Sequence, residues 1–297
     1  MNKYIKAIML SLVVISLLMA CSEDTSESND SSQNEQRNKD NEATENNQGN
    51  DTNDEEPDVE QIIKEATKVN NEFESYSTIE EKDTVETFND EKNHLFAKEE
   101  TNVIFSPFQF ELKIEQEQLD DSDHLQKEFF AKEGGIYLVD GISYMLLQGD
   151  EWSKKESEYT EEELQDQEKI HLDKQVQRYR DVAVDEDFEE TEEHYILTFN
   201  LDLEQIAKND QESDQGEIGV SGEGYKVNEM DVTMKINKET LYLETITTNK
   251  SYAYDMEYKE EKGEMSVTYE TIKTYQNQND VKEIVVPDEV LENAKEL

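Results

Sequence analysis

A single cysteine in 297 residues excludes an internal disulfide and any cysteine-rich zinc site. Basic residues are scarce too: 28 Lys and Arg stand against 75 Asp and Glu, a formal net charge of −47 at pH 7. Nucleic-acid binding draws its affinity from Lys and Arg displacing counterions around phosphates, and a polybasic membrane-surface mode needs the same residues. Both are excluded. Hydrophobic residues make up only 34% of the chain and the mean hydropathy is −0.96, near the boundary at which a chain cannot bury enough apolar surface to fold. Against disorder stand 10 Phe, 14 Tyr and 1 Trp, so at least part of the chain packs.

Chemistry-bearing motifs are equally sparse. His94, His124, His171 and His194 are 30, 47 and 23 residues apart, with no spacing that holds a zinc ion. Gly219-Val-Ser221-Gly222-Glu223 fails the nucleophile elbow at its last position. Gly222-Glu-Gly224 leads into Tyr-Lys-Val, not into a phosphate-binding helix. The run Asp210-x-Glu212-x-Asp214 lacks Gly at the sixth position of a calcium loop and Glu at the twelfth, where Ser221 stands. No catalytic residue, metal ligand or cofactor is assigned, and the expectation is a non-enzyme.

What is present starts at the N-terminus. Lys3 and Lys6 precede an apolar run from Ala7 to Met19, too short to span a bilayer, and Leu18-Met19-Ala20 ends at Cys21. This reads as a signal peptide over 1–20. The four residues resemble the bacterial lipobox, which implies cleavage before a diacylglyceryl-modified Cys21, and two acyl chains suffice for stable anchoring on the extracytoplasmic face of a membrane. Residues 21–57 form an acidic linker: Ser22 to Asp58 holds 13 acidic and 2 basic residues and no aromatic. Such a segment cannot form a core and spans roughly 30–36 Å as a coil.

Packing patterns occupy 58–297. Ile62, Ile63, Ala66, Val69 and Phe73 recur at helical spacing behind Pro57 and Asp58. Tyr76 to Phe88 alternates loosely, and Phe108, Phe110, Leu112 and Ile114 alternate strictly, the mark of a strand with one buried face. Further strands are expected at Glu128–Lys132, Gly135–Val139 and Ile142–Leu147, with Asp140-Gly141 as a two-residue hairpin turn, and Trp152 follows a turn at Gln148-Gly149-Asp150. Thr160–Asp181 reads as one or two exposed helices resting on a sheet, His194–Leu203 as a strand, Glu204–Lys208 as a short helix and Asn209–Gly224 as a mobile loop. Val227–Ile236, Leu241–Met256 and Met265–Tyr275 read as long antiparallel strands. Ile284-Val-Val-Pro287 reads as a strand ended by proline, and Asp288–Leu297 as a terminal helix.

The element order resembles the LolA/LppX-like lipoproteins. More closely, Tyr137-Leu-Val-Asp-Gly141, Tyr144, Gly149-Asp-Glu-Trp152, Met234-Lys-Ile-Asn-Lys-Glu-Thr240 and Ile284–Ala294 resemble an uncharacterised family of Gram-positive surface lipoproteins of the DUF6612 type. The resemblance implies an α+β fold with an open antiparallel half-barrel sheet covered by helices. It also implies a cavity for a lipid or other apolar ligand. The expected wall is Phe108, Phe110, Leu112, Ile114, Tyr195, Leu197, Phe199, Met230, Val232 and Met234. The alternative is a non-catalytic cell-envelope interaction lipoprotein that uses its acidic surface, with the apolar residues as a filled core and Trp152 occluding the pocket.

Overall fold

The computed structural model describes residues 58–89, 91–119, 133–146, 151–212, 224–258 and 261–297. The signal peptide, the linker, Leu18, Met19, Ala20, Cys21, the expected strand Glu128–Lys132, the turn at 148–150 and His124 lie outside the described residues.

Helix α1 (Val59–Asn71) starts where Asp58 accepts hydrogen bonds from the backbone N–H of Glu60 and Gln61 at 3.1 and 3.3 Å, satisfying donors that a helix start leaves open. Its buried stripe is Ile62, Ile63 and Ala66. Three long strands follow, β1 (Ser75–Phe88), β2 (Glu91–Phe105) and β3 (Phe108–Gln118), and then β4 (Glu133–Val139), β5 (Ile142–Leu146) and β6 (Ser153–Glu156). Between β4 and β5, Asp140 and Gly141 both take positive φ, 53° and 75°, the conformation a tight hairpin turn requires. Val139 accordingly pairs with Ile142.

Helices α2 (Glu161–Glu168) and α3 (Leu172–Arg180) lead to β7 (Ala183–Glu190), β8 (His194–Leu201), α4 (Leu203–Glu212), β9 (Lys226–Asn237), β10 (Leu243–Tyr258), β11 (Glu261–Gln276), α5 (Asp288–Asn293) and β12 (Lys295–Glu296). The strands form one open sheet in the order β12-β6-β5-β4-β3-β2-β1-β11-β10-β9-β8-β7. Every pairing is antiparallel except β12 with β6. The free edge at β7 carries Asp185, Glu186, Asp187, Glu189 and Glu190, charges that discourage edge-to-edge association.

One face of the sheet packs against α1 to α4. Phe110 and Leu112 of β3, Leu197 and Phe199 of β8, and Val232 and Met234 of β9 join Ile63, Ala66, Leu172, Val176 and Ile206 from the helices in one core. Buried Asn70 pins α1 to the β9–β10 turn: its amide nitrogen donates to Leu241 O at 2.9 Å, and its amide oxygen accepts from Leu243 N at 3.0 Å.

The opposite face carries a second, smaller core. Tyr137, Tyr144, Ile284, Val286 and Val290 are buried together, with Trp152 and Ala294 against them. Two of the stretches that carry the family resemblance, the one with Tyr137, Tyr144 and Trp152 and the one from Ile284 to Ala294, thus meet in space, whereas Met234 and Ile236 lie in the main core. Trp152 does not occlude the helix-covered face; it lies on this side, its ring 5.6 Å from that of Tyr137, over Gly135, where a Cβ would sit 3.0 Å from the indole.

Several expectations are corrected. Residues 284–286 are not a strand: Ile284 N donates to the Gln109 side chain at 3.2 Å and not to a ladder. The terminal helix ends at Asn293, and Lys295–Glu296 pair with β6. Asn209–Glu212 continue helix α4 instead of opening a loop, and 213–223 lie outside the described residues. Thr160–Asp181 is two helices, of which α3 is not merely exposed, because it buries Leu172 and Val176. Strands β2, β6 and β7 had no counterpart in the sequence reading.

Candidate binding recess

Strands β1, β2 and β11 pair without a register shift, so side chains alternate strictly between faces. At their ends the helix-side positions are apolar: Tyr76 and Phe88 on β1, Val103 on β2, Met265, Val267 and Tyr275 on β11 all belong to the main core. The same alternation directs Glu80, Lys82 and Thr84 of β1, Glu99 and Thr101 of β2, and Thr271 and Lys273 of β11 to that face. A charged strip therefore crosses the middle of the inner surface. Helix α2 contacts β3 beside it, α3 contacts α1, β7 and β8, and α4 packs on β9.

The charges converge. Glu80 and Glu99 stand directly opposite each other on β1 and β2. Lys273 Nζ lies 3.6 Å from Glu80 Oε2, and Lys82 Nζ stands 4.2 Å from the centroid of the Tyr269 ring, a cation–π contact. From above, the last residue of α2 closes on the strip. The Tyr76 hydroxyl donates to the Glu168 backbone O at 2.8 Å and reaches its Oε2 at 3.5 Å.

These groups are crowded but not sealed. Burial pushes the Glu168 carboxyl up to about 7, against the opposing pull of Lys273 and the Tyr76 hydroxyl. Burial and the neighbouring Glu80 raise Glu99 as well, against Lys273 and Lys82. Burial works against the Lys273 ammonium, but Tyr275, Glu80, Glu168 and Glu99 outweigh it and hold its pKa above the ordinary lysine value. Yet 37% of the Lys273 side chain and 31% of that of Glu80 remain open to water. The strip is thus desolvated yet keeps partial access to water, unlike the packed core beside it.

The expected apolar wall lies elsewhere on the same face. Leu197, Phe199, Val232 and Met234 have no exposed surface and Leu112 has 1%; Phe108, Phe110 and Ile114 are buried, whereas Tyr195 and Met230 are only partly so. All ten join one core, and the Tyr179 ring of α3 stands 5.6 Å from that of Phe199. The sequence reading missed Glu80, Lys82, Glu99, Glu168 and Lys273. The available signal was the alternation of β1, which runs from Tyr76 to Phe88 through Glu80 and Lys82 on one face.

Asp210, read from its spacing as part of an acidic run, instead docks α4. Its carboxylate accepts from Tyr225 OH at 2.6 Å and from the buried Lys250 Nζ at 3.0 Å. The described histidines are apart: His94 meets Asp83 at 2.9 Å, His194 meets Glu244 at 2.8 Å, and His171 lies 3.8 Å from Asp166. Among the described residues no group of three His, Cys, Asp or Glu side chains is arranged to hold a metal ion.

Residues 58–295 match the model of a family of unknown function, DUF6612. The chain belongs to that family. The likeness to DUF6612 read from the sequence therefore holds over residues 58–295. Similar solved structures include a DUF1329 family protein from Desulfovibrio piger, 10% identical, with 75% of this chain and 92% of that chain covered and a TM-score of 0.18. Another is a domain provisionally assigned to outer membrane lipoprotein sorting in Vibrio parahaemolyticus, 9% identical, with 72% and 88% covered and a TM-score of 0.21. No curated protein matches the chain. Among the described residues no helix is long and apolar enough to cross a membrane.

Proposed function

We propose that this DUF6612 protein is a lipoprotein, anchored through Cys21 on the extracytoplasmic face of a membrane, whose folded domain binds a ligand without transforming it. The anchor rests on the basic start, the short apolar run and Leu18-Met19-Ala20-Cys21; the acidic linker would hold the domain clear of the lipid surface. The observation that carries the binding reading is the charged strip on the inner face. Folding alone favours apolar side chains under covering helices, and places where a sequence departs from that rule are expected to be functional. Glu80, Lys82, Glu99 and Lys273 depart from it together, in a recess that water reaches. The expected lipid or apolar ligand would then present a polar group to this strip. That the ligand is not transformed rests on the sequence, where no motif supplies nucleophile, base and oxyanion donor together.

The packed apolar wall favours a second reading, an envelope interaction protein whose helix-covered face is simply a core. Native mass spectrometry of the full chain purified from its own cells, followed by organic extraction, separates the two. A co-purifying molecule at fixed stoichiometry, lost in Glu80→Gln/Lys273→Met, supports binding. An empty, folded protein that ignores added lipid overturns it. Replacing Cys21 with Ser tests the anchor: the protein should leave the membrane fraction for the medium, and retention would refute the lipobox reading.

A further inference from the structure

Five charges on and beside the strip differ in how they are satisfied. Lys273 and Glu80 pair with each other, and Glu168 has the Tyr76 hydroxyl. Lys82 and Glu99 do not pair. Among the described residues no carboxylate lies within 4 Å of Lys82 Nζ, which rests on the face of Tyr269. Likewise, among the described residues no donor is within hydrogen-bond distance of the Glu99 carboxylate, which feels Lys82 and Lys273 only through space.

One cation and one anion, diagonal neighbours on the same face of adjacent strands because Lys82 pairs with Ala97 and Glu99 with Glu80, leave an unpaired couple with no net charge. Left alone, two such side chains would gain by closing on each other. Here the Lys82 ammonium lies over the Tyr269 ring instead. A ligand of single charge would satisfy one of them and face the other with its own sign, whereas a ligand carrying both charges a few ångströms apart satisfies both.

We propose that the recess takes a zwitterionic group, its anion at Lys82 and its cation at Glu99. This rests on the binding reading above and names the ligand's chemistry. Two sources carry it: the headgroup of a phosphatidylethanolamine-type lipid, and a free zwitterion such as an amino acid.

Isothermal titration of the full chain tests it with four probes: dihexanoyl phosphatidylethanolamine, glycine, ethanolamine and glycerol phosphate. Saturable binding of either zwitterion, at least about tenfold tighter than both single-charge probes, supports the proposal, and whichever zwitterion binds names the source. Lys82→Met and Glu99→Gln should each weaken it about tenfold or more, and Lys82→Arg should restore most of the loss; thermal melting of each variant confirms that the fold persists. Equal binding of ethanolamine or glycerol phosphate would overturn it, as would unchanged affinity in both variants. The two readings fail differently. An uncharged lipid such as a diacylglycerol that binds equally to wild type and both variants keeps the binding function and removes the zwitterion, whereas no binding of any probe or lipid removes both.

Discussion

Two stretches of one sheet face are built by opposite rules. Under α3, strands β8 and β9 present Leu197, Phe199, Val232 and Met234 with no surface left to water; a few strands away, β1, β2 and β11 present Glu80, Lys82, Glu99 and Lys273, with water still reaching them. The first stretch holds the domain together, because each large apolar side chain buried there contributes roughly 1.5–3 kcal/mol. The second contributes little to folding and carries desolvation costs that a purely structural sheet would avoid. A stable core and a tolerated strip of charge share one alternation.

The comparison breaks most readily at the packed end. Phe199→Ala should destabilise the domain by about 3–5 kcal/mol, the cost of an aromatic deletion whose cavity cannot collapse, and urea unfolding followed by circular dichroism measures it. A loss below about 1 kcal/mol would mean that the wall is loose enough to admit a ligand after all. Moving to the opposite face, Gly135→Ala forces a methyl to within 3.0 Å of the Trp152 ring and 3.3 Å of the Leu112 carbonyl. An overpacking cost of about 1–3 kcal/mol is expected, with altered Trp152 fluorescence as the local signature.

The charged end responds to pH. Burial raises the Glu168 carboxyl from 4.5 to about 7, so between those values the folded protein holds a proton that the unfolded chain has released. Stability therefore falls as pH rises through that window. The groups facing it are Lys273, Tyr76 and Tyr275, and Glu80 and Glu99 act in turn on Lys273. Because water enters the recess, the loss should be on the order of 1–2 kcal/mol, below what the full shift would give. Melting temperatures from pH 5 to 8 should show it, and Glu168→Gln should flatten the slope; an unchanged slope in that variant would assign the effect to another group.

How much of this was legible depended on whether side chains repeat a simple pattern. The strict alternation of Phe108 to Ile114, the Asp140-Gly141 turn and the α1 stripe announce themselves, because burial on one face imposes the period directly. Strand β2 escaped notice because its inward positions run Asn93, Leu95, Ala97, Glu99, Thr101 and Val103, and polar residues at inward positions erase the contrast between faces. The recess was invisible for the same reason: what makes it a candidate site is what hides its strands. The smaller core on the opposite face was half visible, since Tyr137, Trp152 and Ile284–Ala294 could be noticed as a pattern, but only the pairing of distant segments shows that they touch.

The smallest effect decides most sharply what the strip is for. If Lys82 and Glu99 were structural ions, each holding the other in place, removing one would strand the other in a desolvated site and cost about 3–5 kcal/mol. The geometry denies that pairing: Lys82 rests on Tyr269, with no carboxylate within 4 Å among the described residues, and Glu99 is itself raised by burial and by Glu80. Lys82→Met and Glu99→Gln should therefore each change unfolding free energy by no more than about 1 kcal/mol. Glu99→Gln should be neutral or stabilising, because it removes a like-charge contact with Glu80. Urea midpoints of the two single variants and the double variant measure this, and additivity within about 0.5 kcal/mol shows that the two side chains do not act as a pair. A large, non-additive loss would return the strip to the structural frame and leave the recess without a role.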